Sequence, residues 1–375
     1  MKFAFISRIL SYEGRGIQTN LEGLLRGMAQ VPHEHKMVLF VGLDQFIPEW
    51  VQDSHYQVVR LSPNPKSPLG RLIWDHVVIG RACQRLGIDV LYAPAHIRPF
   101  YSPCSVVVMI PDMMYHLFPQ DWSWSDRVYF GTLGSLLTKR AAVITVLSKS
   151  TRSDVVRLLH LTEAEVRVIY PGTPEGFEPL PADVVQPIFK KYGLSKPFIL
   201  YVGSHHPRKN LKSLVRAFEF IASDIPHDLV MVGPPIWQDN ELKQYIKASP
   251  YTSRVRLVGF VPREALPLFF NAAEVFVFPS RYEGFGLPVL EAMACGCPVV
   301  TTQTSSLPEV AGDAAILVSP DDVPGLGGAT LRVLKDNSLR ERMRKNGLQQ
   351  AGKFCWERTA KETIELLEKV AEAKR

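Results

Sequence analysis

The sequence predicts an α/β protein built from two doubly wound, mostly parallel sheets. Short apolar segments alternate with amphipathic helical patterns along the chain, which is typical of this class. The segment between Pro171 and Pro187 is dense in proline and indicates an interdomain linker. The alternation starts again after it, and 375 residues are enough for two domains. Two such sheets place a ligand cleft between them, at the carboxyl ends of their strands.

The first domain is expected over residues 1–186 and contains seven strand candidates. These are Phe3–Ser7, Met37–Gly42, Tyr56–Leu61, Val90–Ala93, Val106–Ile110, Val143–Leu147 and Val166–Tyr170. One helix is predicted by apolar residues that repeat at helical spacing, namely Leu21, Leu24, Leu25 and Met28.

The second domain is expected over residues 187–356, followed by an amphipathic helix over residues 357–375 that is able to pack back on the first domain. The strand candidates of the second domain are Phe198–Gly203, Leu229–Gly233, Val255–Gly259 and Val275–Phe278. A helix is predicted after the first of these strands by Leu211, Leu214, Val215 and Phe218.

The composition excludes several classes of protein. No apolar run approaches the ~20 residues that span a bilayer, and the first ten residues fit a β-strand better than a signal peptide. The five cysteines have an odd count and no zinc-type spacing, which favours reduced thiols in a cytosolic protein. The net charge of +6 comes from scattered Lys and Arg, so it does not indicate nucleic-acid binding. It suits anionic ligands or the face of an anionic membrane.

The most informative stretch is Ser280–Thr302, which contains the glutamates Glu283 and Glu291. Between them lie a glycine-rich turn and a helix that opens with Pro288 and is otherwise apolar on nearly every face. A buried carboxylate is costly unless it is hydrogen-bonded, so Glu291 is expected to have a fixed partner. The alternative at this point is an acid that merely favours the positive end of a helix dipole.

A second stretch places Arg208 and Lys209 between a strand and the start of a helix. Cations at a helix start oppose the dipole unless an anion sits there. A diphosphate would supply that anion. Arg208 could bind it bidentately, and Lys209 could bind it as a point charge. The alternative is a solvated surface pair. Backbone N–H groups could reach phosphates at two glycine turns, one with Gly14 and Gly16 and one with Gly286 and Leu287. The first turn lacks the GxGxxG spacing, and a plain turn is an equal alternative there.

With these residues in view, the chain resembles the retaining family 4 glycosyltransferases of GT-B fold, in which two Rossmann-like domains face across a cleft. The similarity rests on EGFGLPVLE and the PRKN turn, together with Val143–Ser153, Leu257–Pro262, Ser306–Gly312 and Phe354–Thr359. It covers nearly the whole chain. Within the family, the chain is most similar to the bacterial mannosyltransferase-like branch of polysaccharide and lipopolysaccharide assembly.

The resemblance implies roles for the residues already singled out. Glu291 corresponds to the glutamate that hydrogen-bonds the ribose hydroxyls of the nucleotide, and Glu283 to the one that contacts the donor sugar near its reacting carbon. Arg208 and Lys209 match the cations that bind the diphosphate. The further donor-binding candidates are Gly14, Gly16, Ser204, Phe285, Gly286, Leu287 and, beside the base, Phe260.

Two positions depart from the family pattern. Many relatives have Arg where this chain has Ser204, which leaves Arg208 to serve. Many also have His-Asp after the fifth strand, where this chain has Pro111 and Asp112. Asp112 is the second catalytic candidate beside Glu283. His116 and His96 are alternatives, and for both an ordinary loop hydrogen bond is at least as good an interpretation.

The expected activity is transfer of a hexose, mannose favoured, from a nucleoside-diphosphate sugar to a saccharide or lipid-linked acceptor, with retention. No Asp-x-Asp pair occurs in the chain, so neither a metal nor another cofactor is expected. No nucleic-acid partner is expected. The alternatives are an inactive GT-B-like subunit that binds a nucleotide sugar or polysaccharide, and an epimerase or phosphorylase of the same architecture.

The expected location is the cytoplasm, with peripheral contact to the inner face of the membrane as a further possibility. The aromatic-rich stretch that bears on this contains Trp122, Trp124, Tyr129 and Phe130 and precedes Lys139 and Arg140. The favoured interpretation of the stretch is a buried helix of the first domain. The alternative is a surface that meets a membrane or a lipid-linked acceptor.

Overall fold

The computed structural model divides the chain into two compact units. The first contains Met1–Gly172 and Cys355–Arg375, and the second contains Thr173–Phe354. The residues that the structure describes are 1–11, 16–52, 54–63, 68–96, 98–194, 197–234 and 240–374.

The first unit is built on a seven-stranded parallel sheet of order β3-β2-β1-β4-β5-β6-β7. Its strands are β1 Lys2–Ile6, β2 Lys36–Gly42, β3 Gln57–Leu61, β4 Val90–Pro94, β5 Ser105–Ile110, β6 Val143–Val146 and β7 Val166–Val168. The central strands are apolar along their length because both faces are covered, as parallel sheets require. All seven predicted strands are present, with ends shifted by one or two residues.

Helices cover the sheet of the first unit. They are α1 Gly16–Gln30, α2 Glu49–Gln52, α3 Pro68–Ile73, α4 Ile79–Leu86, α5 Met114–Leu117, α6 Trp124–Asp126, α7 Ser135–Thr138, α8 Lys149–Leu159 and, from the end of the chain, α18 Trp356–Glu372. Two π-helical segments, Trp74–Val78 and Arg127–Gly134, continue from α3 and α6. The last helix packs against α1, where a Cβ on Gly23 would lie 2.2 Å from the ring of Trp356. Gly23 therefore leaves the space that this indole occupies.

The second unit is built on a six-stranded parallel sheet of order β10-β9-β8-β11-β12-β13. Its strands are β8 Phe198–Val202, β9 Asp228–Val232, β10 Val255–Gly259, β11 Val275–Phe278, β12 Val299–Thr302 and β13 Ala315–Val318. The last two strands were not predicted. Each has four residues, and the pairing of β12 with β11 and of β13 with β12 adds them to the sheet.

The helices of the second unit lie between and beyond these strands. They are α9 Ala182–Val185, α10 Pro187–Lys191, α11 Leu211–Ile221, α12 Asn240–Ala248, α13 Leu266–Ala272, α14 Leu287–Ala294, α15 Leu307–Ala311, α16 Val323–Lys335 and α17 Asn337–Ala351. Short 3₁₀ turns precede several of them, and those at Pro207–Lys209 and Arg263–Ala265 bear on the site below.

The boundary between the units falls at 172/173, earlier than the expected 186/187. The proline-rich segment packs on the second unit because α13 holds it by hydrogen bonds. Asn271 Oδ1 accepts from the Leu180 N–H at 2.8 Å, and Asn271 Nδ2 donates to the Glu178 carbonyl at 3.0 Å. The ring of Phe177 also contacts that of Phe270. The density of prolines indicated a connecting segment, but it did not indicate with which of the two units that segment packs.

The favoured interpretation of the aromatic stretch in the first unit is correct only in part. Trp122, Tyr129 and Phe130 are half-buried and contact Tyr115 or one another, whereas Trp124 is not buried. Trp124 is 76% exposed, and Val128 and Leu136 are also exposed on the segments that follow it. Lys139 and Arg140 lie exposed at the end of α7. The stretch forms a surface on which apolar and basic side chains stand close in sequence. In the described part of the chain, no helix is both long enough and apolar enough to cross a bilayer.

Candidate active site

The candidate site lies at the carboxyl ends of β8 and β11 in the second unit. These two strands are neighbours in the sheet, and the chain proceeds outward from them in opposite directions. Such a reversal of strand order leaves a crevice at the carboxyl ends, which is where ligands bind in open α/β sheets. Arg208 and Lys209 follow β8, and Glu283 follows β11. The fold thus brings together residues that are more than seventy positions apart.

The two cations do not begin a helix, contrary to the expectation. They lie in the 3₁₀ turn Pro207–Lys209, and Asn210 then adopts a left-handed conformation with φ of 59° before α11 starts at Leu211. Arg208 and Lys209 therefore do not oppose the dipole of a helix that they begin. The anion that faces them is a side chain of the protein.

That anion is Glu283. Its Oε1 lies 2.8 Å from Arg208 Nη1 and 2.6 Å from Lys209 Nζ. All three side chains are largely buried, with exposed fractions of 9% for Glu283, 14% for Arg208 and 7% for Lys209. Two cations on one carboxylate leave this ion cluster with a net positive charge. A positive cluster in a crevice attracts an anionic ligand.

Burial works against ionisation of Glu283, but Arg208 and Lys209 outweigh it and lower the pKa of the carboxyl from 4.5 to about 2. Glu283 is therefore an anion over the whole physiological pH range. It cannot serve as a general acid there, and its charge is available to oppose a developing positive charge.

Backbone contacts hold the two segments of the ion cluster in register. The Arg281 N–H donates to the Arg208 carbonyl at 2.8 Å, and Arg208 Nη1 donates to the Tyr282 carbonyl at 2.6 Å. The ammonium of Lys209 also lies 4.7 Å from the ring centre of Phe278 on β11, which suits a cation–π contact. The cations are thus fixed to the strand end that carries Glu283.

The glycine turn after Glu283 is fastened by two serines that the sequence argument missed. Ser306 Oγ is fully buried and lies 2.9 Å from the carbonyl of Glu283 and 2.7 Å from that of Phe285. Ser305 Oγ accepts from the Glu283 N–H at 2.9 Å. Gly286 has a φ of 104°, and a Cβ there would lie 2.8 Å from Leu307. Ser306 opens the motif Ser306–Gly312, so this part of the family resemblance includes a residue that shapes the glycine turn.

Glu291 lies on α14, is 5% exposed, and has the fixed partner that its burial demands. Arg263 Nη2 donates to Glu291 Oε1 at 3.4 Å from the 3₁₀ turn that follows β10. Burial raises the pKa of Glu291, and Arg263 opposes that rise. The burial of Glu291 predicted a partner but not which residue it is, although Arg263 follows directly on the motif Leu257–Pro262.

The other predicted donor-binding residues of the second unit have different environments. Phe260 is 58% exposed beside the turn that carries Arg263, while Ser204 and Leu287 are half-buried. The ring of Phe285 is 4% exposed and packs on Phe354, so only its backbone could meet a ligand. Leu287 opens α14, where the first N–H groups have no partner within the helix.

In the first unit, Gly16 is exposed at the start of α1, while Gly14 lies outside the described residues. Asp112 follows β5, its Oδ1 accepts from the Met114 N–H at 3.0 Å, and its carbonyl accepts from His96 Nε2 at 3.0 Å. Burial lowers the pKa of His96 to about 4, so its imidazole is neutral at neutral pH. His116 Nε2 lies 3.2 Å from Ser135 Oγ. The catalytic role of Asp112 stays a prediction.

Two protein-family models match the chain. Residues 14–175 match "Glycosyltransferase Family 4" and residues 185–350 match "Glycosyl transferases group 1". The sucrose-phosphate synthase structure from Thermosynechococcus elongatus superposes with a TM-score of 0.79 at 22% identity, over the whole of both chains. The two parallel sheets thus have the GT-B fold.

Two curated relatives from Escherichia coli are similar in sequence. The O-antigen chain mannosyltransferase B is 36% identical over 60% of this chain and 60% of its own length. The serotype-specific mannosyltransferase WbdA is 30% identical over 72% of this chain but 34% of its own length. The matched part of the chain therefore spans less than two thirds of either relative. The chain belongs to the family 4 glycosyltransferases and is similar to their mannosyltransferases.

The ion cluster makes a prediction about stability. Glu283→Gln leaves two buried cations without their anion, so we expect it to lower the free energy of unfolding at neutral pH by about 3–5 kcal/mol. Because the folded-state pKa is depressed, the contribution of Glu283 is present above about pH 4.5 and is lost as pH falls toward 2. Urea denaturation should show a constant difference from wild type at neutral and alkaline pH, and a shrinking one in acid.

The control is Glu241→Gln, which breaks a pair with Lys212 in which the glutamate side chain is 80% exposed. Because this ion pair is exposed to solvent, the change should leave the free energy of unfolding close to that of wild type. An equal loss in both variants would contradict the structural importance of the ion cluster.

Proposed function

We propose that the chain is a retaining hexosyltransferase that takes its sugar from a nucleoside diphosphate. The observation that carries the proposal is the buried cluster of Glu283, Arg208 and Lys209 at the switch point of the second sheet. Its surplus positive charge suits a diphosphate, and its carboxylate suits the partial positive charge of a sugar that is losing its leaving group. One cluster would thus serve both halves of the breaking bond.

The nucleotide would lie along the second unit. In this proposal the ribose hydroxyls bind Glu291, the exposed Phe260 borders the base, and the N–H groups at Gly286 and Leu287 approach the phosphates. The first unit would provide Gly14, Gly16 and the acceptor side. Arg208, Lys209 and the backbone N–H groups supply the charge stabilisation for which other enzymes use a metal, so we propose that neither metal nor organic cofactor is required.

The reaction would proceed on one face of the sugar. The bond from the anomeric carbon to the diphosphate oxygen breaks, and the acceptor hydroxyl oxygen bonds to the same carbon from the same side. The proton of that hydroxyl passes to the departing phosphate oxygen. Retaining glycosidases use a carboxylate nucleophile with a second acid–base carboxyl group, but Glu283 is engaged by two cations, which favours an electrostatic role.

Mannose is the favoured hexose, and a saccharide or lipid-linked saccharide is the favoured acceptor. Both Escherichia coli relatives are mannosyltransferases, one of them acting on the O-antigen chain. The same similarity supports a role in the assembly of polysaccharide or lipopolysaccharide, with GDP-mannose as the donor to test first.

The direct test is a panel of GDP-, UDP- and ADP-sugars, assayed for binding by thermal shift and for turnover by nucleotide release with α-linked mannosides as acceptors. We expect one sugar nucleotide to give acceptor-dependent release and an α-linked product by NMR. Turnover should persist in EDTA. A β-linked product would refute retention, and loss of activity in EDTA that Mg²⁺ or Mn²⁺ restores would refute metal independence.

The same panel separates the alternatives. Binding without turnover by any donor would favour a non-catalytic binding subunit, an interpretation to which Pro111 in place of the usual His lends some support. Conversion of the donor without transfer would indicate an epimerase, and release of sugar phosphate from a polysaccharide would indicate a phosphorylase.

Kinetics of two variants should separate the roles of the two glutamates. Glu283→Gln should lower kcat at saturating donor by 100-fold or more, roughly 3 kcal/mol, because its charge matters most in the transition state. Glu291→Gln should chiefly raise the donor KM, since the ribose is bound equally in ground and transition states. A near-normal kcat for Glu283→Gln at saturating donor would eliminate its catalytic role.

We propose further that the exposed surface around Trp124 makes peripheral contact with an anionic membrane. Trp124, Val128 and Leu136 are exposed, and Lys139 and Arg140 follow them. Aromatic and basic side chains of this kind suit an interface of anionic headgroups.

The protein should float with vesicles that contain phosphatidylglycerol and not with pure phosphatidylcholine vesicles. Trp124→Ser should weaken flotation, because it removes the most exposed aromatic side chain of this surface. Phe220→Ser is the matched control, since Phe220 is 62% exposed on α11 of the second unit. Equal flotation of all three proteins would refute the assignment of this surface.

A further inference from the structure

We propose that Arg263 is a positioning residue for donor binding, which holds the Glu291 carboxylate in place and balances its charge. The inference rests on the proposed function, since it assigns a partner to the glutamate that would bind the ribose. Neither the family resemblance nor the motifs of the sequence gave Arg263 a role.

The geometry places Arg263 between two buried groups. On one side, its Nη2 lies 3.4 Å from Glu291 Oε1. On the other, its guanidinium carbon lies 5.5 Å from the ring centre of Phe177. Phe177 is 6% exposed and is itself held against Phe270. A planar guanidinium stacks well on an aromatic ring and loses little freedom when it then binds a carboxylate. The side chain is therefore directed at Glu291 before a ligand arrives.

The burial of the two partners is unequal. The side chain of Glu291 is 6% exposed, whereas that of Arg263 is 36% exposed. Arg263 thus extends from the surface to a carboxylate that is almost inaccessible to solvent. Within the described residues, Glu291 Oε2 has no hydrogen-bond donor, so it remains available to a hydroxyl of the ligand. Because Arg263 holds one carboxylate oxygen of Glu291, the carboxylate has a fixed orientation toward a diol.

Glu291 has few other charged neighbours. In the part of the chain that the structure describes, the titratable groups that act on it are Arg263 and, on its own helix, the thiol of Cys295. Cys295 in turn faces Cys297 and Glu178, and Cys297 faces Arg344 from α17. Burial raises the pKa of both thiols, so neither carries charge at neutral pH. The cation that opposes the effect of burial on Glu291 is Arg263.

The consequence is a pH dependence that a purely structural arginine would not produce. Without Arg263, burial is unopposed and the pKa of Glu291 rises further. A larger fraction is then protonated near neutral pH, and a protonated carboxyl binds a diol less well than a carboxylate. Raising the pH restores the carboxylate, so the loss of affinity should be largest in mild acid and should shrink in alkali.

The test is calorimetric titration of GDP, UDP and ADP into wild type, Arg263→Met, Arg263→Lys and Glu291→Gln between about pH 6 and about pH 9. For the nucleotide that binds wild type, Arg263→Met should raise Kd roughly ten-fold or more at the acid end. The defect should diminish toward the alkaline end. Arg263→Lys should restore much of the affinity because it keeps the charge. Arg332→Met, at an exposed position of α16, is the matched control and should bind like wild type.

A double-mutant cycle shows whether Arg263 acts through Glu291. In the Glu291→Gln background, Arg263→Met should have little further effect on Kd. Equal, additive losses in the two backgrounds would overturn the inference, as would a loss in Arg263→Met that is independent of pH. Failure of wild type to bind any of the three nucleotides would instead overturn the proposed donor site.

A measurement without ligand distinguishes failure of this inference from failure of the proposed donor site. Glu291 destabilises the fold when it is ionised without a partner, so a raised folded-state pKa makes stability fall as pH rises above about 4.5. The urea midpoint of Arg263→Met should therefore drop more than that of wild type between about pH 5 and about pH 8. Glu291→Gln should abolish this difference. Parallel pH profiles in wild type and Arg263→Met would overturn the inference even if the nucleotide binds.

Discussion

The second unit depends on one buried ionic interaction, in which a single carboxylate pairs with two cations. Removing three charges from water is expensive, and the expense is offset only when the geometry is good. Here Glu283 reaches both Arg208 and Lys209 within 2.8 Å, and backbone hydrogen bonds tie the two segments together. Such a buried ion cluster adds little net stability, but it constrains the positions of the segments that carry its charges. It fixes where the ends of β8 and β11 lie, and with them the crevice.

Further contacts hold the backbone segments around this ion cluster. Ser306 and Ser305 hold the backbone on either side of Glu283, and Gly286 lets the chain turn into α14 with a φ that other residues rarely adopt. The helix that begins there carries Glu291, whose charge is balanced by Arg263 from the 3₁₀ turn after β10. The backbone contacts of Ser305, Ser306 and Gly286 thus position Glu283 and the start of α14, and α14 in turn positions Glu291 beside Arg263.

The two glutamates illustrate how environment separates the behaviour of identical side chains. Both are nearly fully buried, yet the pKa of Glu283 is lowered and that of Glu291 is raised. Burial favours the neutral form in both cases. Two close cations overcome it at Glu283, while one half-exposed arginine at 3.4 Å does not overcome it at Glu291. This difference matches the proposed division of labour between a permanent charge at the reacting sugar and a ligand for hydroxyl groups.

The sequence by itself determined the fold class, the positions of eleven strands and the identity of the residues that form the ion cluster. Strand periodicity and glycine turns are local signals, and Glu283, Arg208 and Lys209 were recognisable from their own neighbourhoods. The tertiary structure decided what these residues face. Arg208 and Lys209 were expected to face a diphosphate or solvent, and the sheet pairing of β8 with β11 also brings Glu283 to them across more than seventy residues. Arg263 was found as the partner of Glu291 for the same reason, and Trp124 proved exposed although aromatic side chains are commonly core. Pairing between distant segments and the burial that results are properties of the packed chain, and no local pattern encodes them.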